Sequence, residues 1–370
     1  MKKLGFGLMR LPLNDPDDVK NINKEEARRM VDAFLAAGYT YFDTAYPYHR
    51  GASEKLFGEL VADRYPRESY FLTSKMPVWL INAPEDYDFI FNKQLDRTHA
   101  GYFDNYFLHA MGKSRMESVA ETGGFEWIKR KKEEGLIKHI GFSYHDKAEI
   151  LDRFLTEHPE FEVVQLQLNY ADWDSETVEA HKCYGVCVKH GKPVVVMEPV
   201  KGGSLARVPE SVLSLMKEEN PEASAASWAF RFAASLPDVC MILSGMSNME
   251  QLEENIALFD DIEPLNEKEQ AVIKKSVKIL NDSVAVKCTS CRYCTEGCPQ
   301  NIAIPDYFSL YNSMKLYGYV PSMSTMFTNL IAEHGKPSDC IECGQCEAAC
   351  PQHLSIIENL VKVKEAFETE

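Results

Sequence analysis

The sequence predicts an α/β fold: a closed (β/α)8 TIM barrel followed by a small, mainly helical, cysteine-rich domain. Two observations support this prediction. A strand pattern and a helix pattern alternate over roughly the first 260 residues. Eight of the 11 cysteines then lie in two short runs nearer the end of the chain. We therefore expect a barrel over residues 1–262, a helical connector over 263–286 and a second domain over 287–370.

The first helix shows how the barrel units are identified. Asn23 is the expected N-cap, Glu26 three residues later completes a capping-box pattern, and Gly38 ends the helix. Apolar residues at helical spacing form its buried stripe, namely Ala27, Met30, Val31, Phe34 and Leu35. The segment YTYFDT, which follows, has the composition of a short strand.

Further patterns continue this alternation, with LGFGLMR as the opening strand. The helix patterns are SEKLFGELVADR, DFIFNKQLDR, FEWIKRKKEEG, KAEILDRFLTE, SETVEAHKCYG, SAASWAFRFAASL and NMEQLEENIALF. The strand patterns are YFLTSK, YFDNYFLHA, IKHIGFS, FEVVQLQLN, PVVVMEPV and VCMILSG. Eight alternating units favour a parallel barrel. An open doubly wound sheet is the alternative, but no GxGxxG turn follows the first strand.

Polar residues end most of the predicted strands. In a (β/α)8 barrel these ends surround one mouth, where the active site lies. A single polar residue at a strand end commonly meets solvent or caps a helix, but Asp, Tyr, Lys and His at successive ends indicate a site. The set is Asp43, Lys75, His109, Ser143, Gln165, Glu198 and Ser244, with Tyr48 just after Asp43.

These residue types together suit proton donation to a carbonyl oxygen. A tyrosine is a weak acid with a pKa of about 10. A neighbouring lysine cation would lower that pKa, and an aspartate would hold the lysine in place. A histidine could donate a hydrogen bond to the same carbonyl. The missing hydride would have to come from a nicotinamide cofactor.

The two cysteine runs, CTSCRYCTEGCP at 288–299 and CIECGQCEAACP at 340–351, have the same spacing. This spacing indicates two [4Fe–4S] clusters, because in such runs the cysteine before proline serves the other cluster. Zinc would need four ligands in two pairs, which leaves the remaining cysteines and the prolines unexplained. The expected ligands are Cys288, Cys291, Cys294 and Cys350 for one cluster, and Cys340, Cys343, Cys346 and Cys298 for the other.

Between the runs, apolar residues recur at helical spacing in two stretches. These runs and helices resemble a two-cluster ferredoxin of the helical kind, and we expect the apolar residues to form its core. They are Tyr307, Leu310, Tyr311 and Met314 in the first stretch and Met326, Leu330 and Ile331 in the second.

The composition excludes several classes of partner. A formal net charge of −16 argues against nucleic acid and against an anionic membrane surface. No apolar run is long enough to cross a membrane, and Arg10 interrupts the first apolar stretch too early for a signal peptide. Many cysteines without an export signal indicate metal ligation in a reducing compartment, so a cytoplasmic location is expected.

The barrel segments resemble the aldo-keto reductase family. The segments that show this resemblance occur in the family's order over roughly residues 4 to 258. They are FDTAYPY, SEKLFGE, LTSK, YFLHA, IGFS, VVQ, MEPVKGG and LSGMSNMEQLEEN. With the cysteine runs, the whole chain resembles a branch of iron–sulfur aldo-keto reductases found largely in anaerobic microbes. The resemblance implies NADPH- or NADH-dependent reduction of a small aldehyde or ketone to an alcohol, or the reverse reaction.

The resemblance also implies residue roles. Tyr48 would be the general acid, Lys75 the partner that lowers its pKa, Asp43 the anchor of that lysine, and His109 the group that orients the carbonyl. Ser143 and Gln165 would hold the nicotinamide carboxamide. The remaining implied cofactor-binding residues are Glu198, Pro199, Lys201 and Gly202 near the pyrophosphate, Ser244, Gly245, Ser247 and Gln251 after the eighth strand, and Glu254 and Asn255 facing the adenine.

Three positions depart from the family pattern. Tyr144 stands where asparagine is common, and Met197 stands where an aromatic residue usually stacks on the nicotinamide. Family members that prefer NADPH usually place a basic residue after the eighth strand, and residues 244–258 contain none. This absence favours NADH.

The roles of the clusters stay open at the sequence level. Nicotinamide delivers two electrons as hydride, whereas a [4Fe–4S] cluster normally passes one, and no flavin-binding pattern is present to convert between them. The clusters could stabilise the small domain, exchange electrons with a redox partner protein, or sense oxygen. The alternative function is a redox-sensing or electron-transfer subunit that uses the barrel as a nicotinamide-binding module.

Overall fold

The computed structural model describes residues 2–16, 18–175, 178–317, 327–328 and 330–368. Eight parallel strands close into a barrel in sequential order, which confirms the predicted (β/α)8 fold. The strands are β1 (Leu4–Gly7), β2 (Tyr41–Asp43), β3 (Phe71–Met76), β4 (Phe103–Met111), β5 (Ile137–Tyr144), β6 (Val163–Gln167), β7 (Val194–Met197) and β8 (Val239–Ser244).

Strand register brings the polar strand ends together. Asp43 of β2 pairs with Thr73 of β3, two residues before Lys75. Ser143 of β5 pairs directly with Gln165 of β6. Because all eight strands run in the same direction, their C-terminal residues surround a single mouth.

Helices follow the strands, mostly where the sequence predicts them. The described residues also form two helices that the predicted patterns do not include, Lys113–Glu121 after β4 and Glu210–Glu219 after β7. Lys113–Glu121 buries only Met116 and Val119, so its apolar periodicity is weak in the sequence. The helices of the barrel segment are Lys24–Ala36, Ala52–Phe57, Pro84–Thr98, Lys113–Glu121, Gly124–Glu133, Ala148–Glu157, Ala180–Lys189, Ala225–Ala234 and Met249–Asp260.

The first helix confirms its predicted N-cap and corrects the role of Glu26. The Asn23 side chain accepts the backbone N–H of Glu26 at 3.0 Å. Glu26 does not complete the capping box at its own helix. Its carboxylate instead accepts the N–H of Met249 at 3.1 Å, at the start of the last barrel helix. The tertiary contact therefore replaces the local one.

The lower part of the barrel interior is packed with large side chains. They include Tyr41, Phe107, Val163, Val195, Met241 and Leu243. Gly141 is required here, because a Cβ atom at this position would lie 2.6 Å from the Phe107 ring. Because apolar side chains fill this part of the interior, the polar side chains meet at the mouth formed by the C-terminal ends of the strands.

The chain divides into two compact units, 1–199 with 227–265 and 200–226 with 266–370. In the second unit, helix Glu267–Ser283 begins with a capping box between Asn266 and Glu269. Helices Ile304–Tyr317 and Ile356–Phe367 form an apolar core around Phe308, Leu360 and Val363. The predicted core positions Tyr307, Leu310 and Tyr311 are buried, Met314 and Leu330 are partly buried, Ile331 is exposed, and Met326 lies outside the described residues.

Among the helices that the structure describes, none combines the length and the apolar character that a membrane span requires.

Candidate active site and cysteine clusters

A buried ion pair joins β2 and β3 at the barrel mouth. Lys75 Nζ lies 2.5 Å from Asp43 Oδ1, and both side chains are almost fully buried. Burial raises the pKa of Asp43 and lowers the pKa of Lys75, while the attraction between the two charges opposes both shifts. Lys75 also donates to the carbonyl of Thr44 at 2.9 Å.

The third hydrogen bond of the ammonium group goes to Tyr48. Lys75 Nζ lies 3.3 Å from Tyr48 Oη and 4.9 Å from the centre of its ring. An ammonium group has three donors, so Asp43, Thr44 and Tyr48 use all of them. Because the phenol oxygen accepts this bond, its own O–H remains available to another acceptor.

The loop after Tyr48 is held in a rare backbone conformation. His49, Arg50 and Gly51 have φ values of 51°, 52° and 86°, all in the left-handed region. His49 accepts the N–H of Leu11 at 3.3 Å through Nε2, and its Nδ1 contacts the carbonyl of Val19 at 2.6 Å. Two consecutive left-handed residues other than glycine are costly, and such conformations concentrate at functional sites.

The pKa of Tyr48 lies above its usual value, not below it as the contact with Lys75 alone suggests. Burial raises that pKa well above its usual range, and the negative charges of Asp43 and Glu198 raise it further. Burial is the largest cause of this shift, and the positive charge of Arg10 opposes it only in part. The phenol of Tyr48 is therefore protonated at neutral pH.

His109 lies on β4 facing Tyr48. Its ring centre is 6.1 Å from that of Tyr48 in an edge-on arrangement, and 5.1 Å from that of Trp79. Burial lowers the pKa of His109 well below its usual value, and the neighbouring cations Lys75 and Arg115 contribute to the decrease. The imidazole is consequently neutral at neutral pH and has one N–H donor.

The predicted carboxamide-binding residues lie beside this group. Gln165 Nε2 donates to Asp43 Oδ2 at 3.2 Å, which identifies the other amide atom as the oxygen. That atom, Gln165 Oε1, is buried and has no partner among the described residues. The Ser143 hydroxyl accepts the N–H of Ala110 at 2.7 Å and keeps its own proton to donate. An acceptor and a donor side by side fit a primary carboxamide.

The residues predicted to bind the rest of the cofactor fall into two groups. Glu198 has a φ of 58°, and its carbonyl accepts from Asn169 Nδ2 at 3.1 Å just after β7. Pro199, which follows it, is buried. Lys201 and Gly202 belong to the second compact unit, where the charge of Lys201 acts on Cys288 and favours its thiolate. The structure thus does not group Lys201 with the barrel residues.

Beyond β8, the predicted residues surround the start of helix Met249–Asp260. Asn255 is buried and donates to Ser244 Oγ at 3.0 Å, so it holds the end of β8. The N–H of Ser247 donates to Gln251 Oε1 at 2.8 Å. Gly245, Ser247, Gln251 and Glu254 are exposed.

Sequence reasoning missed Glu54, which lies fully buried behind Lys75. Its carboxylate accepts from Ser74 Oγ at 2.8 Å and Gln94 Nε2 at 2.6 Å, and it pairs with Arg97 at 3.0 Å. Gln94 also donates to the carbonyl of Lys75 at 3.1 Å. The network therefore holds the β3 backbone at Lys75. Glu54 sits within a helix pattern that looks ordinary in the sequence, so nothing marks it as buried.

The eight cysteines of the two runs line two cavities. The lining of one cavity includes Cys288, Cys291, Cys294 and Cys350. The lining of the other includes Cys298, Cys340, Cys343 and Cys346. Each cavity combines three cysteines of one run with the last cysteine of the other, the same grouping that the spacing predicts.

The two runs also repeat the same backbone turns. Left-handed residues occur two positions after the first cysteine, one after the second and three after the fourth in both runs. The pairs are Ser290 with Glu342, Arg292 with Gly344, and Asn301 with His353. In the first run these turns direct the N–H groups of Ser290 and Ile302 at Cys288 Sγ and Cys298 Sγ, each at 3.4 Å. Such N–H groups stabilise thiolates.

The cavities fit iron–sulfur clusters better than a single ion. No three His, Cys, Asp or Glu side chains in the described part of the chain converge as one metal ion would require. Burial and the other cysteines raise the pKa of Cys294, so holding thiolates here requires compensating positive charge, which iron supplies. Cys343 is exposed, whereas Cys294, Cys346 and Cys350 are buried.

Comparisons with known proteins identify the family. Residues 3–278 match the aldo/keto reductase family, and residues 287–354 match a 4Fe–4S dicluster domain. The first match covers most of the chain, so the protein belongs to the aldo/keto reductase family. It is an oxidoreductase of that family with a C-terminal 4Fe–4S dicluster domain.

Individual relatives are distant. The uncharacterised oxidoreductase YqkF of Bacillus subtilis is 23% identical over 286 residues, covering 69% of this chain and 86% of that protein. A probable aldo-keto reductase of Glycine max is 26% identical, covering 55% of this chain and 57% of that protein. Among solved structures, the holo form of an aldo-keto reductase from Bacillus halodurans is 23% identical with a TM-score of 0.60, covering 74% of this chain and 91% of that one.

A second solved structure, an aldo-keto reductase from Klebsiella pneumoniae in complex with NADPH, is 20% identical with a TM-score of 0.59. The match covers 74% of this chain and 90% of the Klebsiella pneumoniae chain. At these identities both solved structures support the barrel fold alone.

The Glu54 network predicts a large stability effect. Glu54→Gln should lower the free energy of unfolding by about 3 kcal/mol, because the largely buried Arg97 loses its carboxylate partner. Urea unfolding of anaerobically prepared protein would measure this, since all four tryptophans lie in the barrel unit. Glu59→Gln is the matched control, because its pair with Lys24 is exposed and should contribute less than about 1 kcal/mol. Equal decreases in the free energy of unfolding in both variants would contradict the stabilising role assigned to the Glu54 network.

Proposed function

We propose that the barrel catalyses the NADPH- or NADH-dependent reduction of an aldehyde or ketone to an alcohol, or the reverse, in the cytoplasm. The proposal keeps the division into a reductase barrel at 1–262, a connector at 263–286 and a two-cluster domain at 287–370. The observation that carries it is the contact between Tyr48 Oη and Lys75 Nζ at 3.3 Å, with Asp43 behind the lysine. A small-molecule carbonyl compound or alcohol is the substrate.

Tyr48 is the proposed proton donor. Its oxygen accepts from Lys75, so its O–H is directed at a substrate carbonyl oxygen at the mouth. As negative charge develops on that oxygen, it becomes a stronger base than phenolate and takes the proton. The ammonium of Lys75, held by Asp43 and Thr44, then stabilises the phenolate that remains.

His109 is proposed to orient the carbonyl. The neutral imidazole offers one N–H, and its ring centre lies 6.1 Å from that of Tyr48. A neutral donor can polarise the carbonyl without competing with Tyr48 for proton transfer. Tyr48 and His109 together would therefore position one carbonyl oxygen between them.

The nicotinamide cofactor would supply the hydride when bound. Gln165 Oε1 would accept from its carboxamide NH2, and the Ser143 hydroxyl would donate to its carbonyl. Glu198, Pro199, Lys201 and Gly202 are proposed for the pyrophosphate region. For the adenosine end we propose Ser244, Gly245, Ser247, Gln251, Glu254 and Asn255, although the structure gives Asn255 a buried role at β8. The Klebsiella pneumoniae relative was solved in complex with NADPH, which supports a nicotinamide cofactor for this chain.

The C-terminal unit is proposed to hold two [4Fe–4S] clusters, ligated by Cys288, Cys291, Cys294 and Cys350, and by Cys340, Cys343, Cys346 and Cys298. One observation favours electron exchange with a redox partner protein over a purely structural role. Cys343 is exposed, and 59% of the neighbouring Ile341 is exposed beside the second cavity. An apolar residue at an exposed cluster could support a transient contact. This feature also keeps the electron-transfer or sensing subunit as the second candidate.

Replacing the proton donor should separate catalysis from binding. Tyr48→Phe removes the O–H and should lower kcat for aldehyde reduction by about 10²- to 10⁴-fold. The Kd for NADPH and NADH should change little, because the nicotinamide contacts lie on other residues. Tyr65→Phe, at a hydroxyl bonded to Asp32 on the outside of the barrel, is the control. Full activity in Tyr48→Phe would favour the sensing subunit.

The raised pKa of Tyr48 predicts the pH dependence. Since the phenol stays protonated well above its ordinary pKa, kcat for reduction should be flat from about pH 6 to pH 9. Alcohol oxidation requires the phenolate and should accelerate as the pH rises through that range and beyond. Rate profiles for one aldehyde and its alcohol would test both directions. A reduction rate that falls with a midpoint near pH 8 would show that the tyrosine is a stronger acid than proposed.

Double cysteine variants test the crossed ligand sets. Cys291→Ser with Cys350→Ser should remove one cluster and retain about four iron atoms per chain, because both residues line the same cavity. Cys291→Ser with Cys298→Ser should remove both clusters, because these residues line different cavities. Iron and sulfide content and electron paramagnetic resonance would distinguish them. The opposite pattern would mean that each run ligates its own cluster.

A further inference from the structure

The loop after β1 brings a cation to the barrel mouth. The carbonyl of Arg10 accepts from Ser247 Oγ at 2.8 Å, and the N–H of Leu11 donates to His49 Nε2 at 3.3 Å. Ser247 follows β8, and His49 directly follows Tyr48. The backbone on both sides of Arg10 is therefore fixed to the rim of the mouth next to the proposed proton donor.

The Arg10 side chain lies across the end of β8. A Cβ atom at Gly245 would lie 3.1 Å from both Cβ and Cδ of Arg10, so the arginine stem passes close to the glycine backbone. The side chain is partly exposed, but its Nη2 atom is buried and has no hydrogen-bond partner among the described residues. A buried donor left without a partner is destabilising, and a bound acceptor would remove that cost.

We propose that Arg10 binds an oxyanion of the ligand at the barrel mouth, either a carboxylate of the substrate or a phosphate of the nucleotide. The proposal rests on the proposed carbonyl-reductase function and adds a specificity-determining residue to it. A guanidinium group suits carboxylates and phosphates because its N–H donors match their two oxygens. Lys75 cannot take this role, because its three donors are already used.

Arg10 also supplies what the region after β8 lacks. Residues 244–258 contain no basic residue, so the sequence near β8 offers no cation for an anionic ligand. The fold brings one from the other end of the barrel sequence. In a chain with a net charge of −16, a fixed cation at the mouth would selectively stabilise anionic ligands there.

The test compares 4-carboxybenzaldehyde with its neutral methyl ester, methyl 4-formylbenzoate, in the wild type and in Arg10→Gln. If the substrate carries the oxyanion, KM for the carboxylate should rise about 10- to 100-fold, with KM for the ester and Kd for NADPH and NADH unchanged. If the nucleotide carries it, Kd for the cofactors should rise by a similar factor and both aldehydes should be affected alike. Arg10→Lys keeps the positive charge but lacks the paired N–H donors of the guanidinium group. Its affected KM or Kd should lie between the values for the wild type and for Arg10→Gln. Arg153→Gln, exposed on a barrel helix, is the control.

Direct binding separates this proposal from the proposed function. Calorimetry with benzoate, and with benzamide as the neutral control, requires no turnover. If the wild type reduces neither aldehyde but binds benzoate or a nucleotide through Arg10, the carbonyl-reductase function fails and the oxyanion site stands. The proposal is contradicted if Arg10→Gln has wild-type thermal stability and its binding constants stay within about twofold of the wild type. These constants are KM for both aldehydes, Kd for both cofactors and Kd for benzoate. In that case Arg10 binds no oxyanion.

Discussion

The buried ammonium group of Lys75 is the constraint on which the rest of the barrel mouth depends. A charge removed from water is tolerated only when it is paired and fully hydrogen-bonded. Asp43, Thr44 and Tyr48 together satisfy its three donors. Because Tyr48 is one of these acceptors, the same contacts that stabilise the buried cation also fix the orientation of the phenol. The stability of the buried cation and the proposed proton donation thus depend on one arrangement.

The directions of the pKa shifts at the mouth follow from burial and from the pairing of Lys75 with Asp43. Asp43 offsets the positive charge of Lys75, so Tyr48 responds mainly to burial and to nearby carboxylates and holds its proton firmly. His109 is neutral for the related reason that it is buried among cations. The site therefore contains two neutral hydrogen-bond donors next to a paired cation. This suits a reaction in which negative charge develops only on the substrate oxygen.

Local patterns in the sequence predict the barrel, the strand-end residues and the grouping of the cysteines, because each depends on short-range spacing. The left-handed turns of both cysteine runs recur at equivalent positions, so a local repeat becomes a repeated cavity. The features that were missed are nonlocal. Glu26 bonds to Met249 rather than within its own helix, and Glu54 is buried only because Arg97 and Gln94 converge on it.

The sequence by itself determined the alternation that closes the barrel and the residue types that reach its mouth, since periodicity and strand direction follow from the chain alone. Only the tertiary structure decided how charges compensate one another there. The acidity of Tyr48 depends on its burial and on the distances to Asp43, Glu198 and Arg10, which are set by packing between elements. The position of Arg10 across Gly245 likewise depends on closure of β8 against β1, and no local pattern contains that contact.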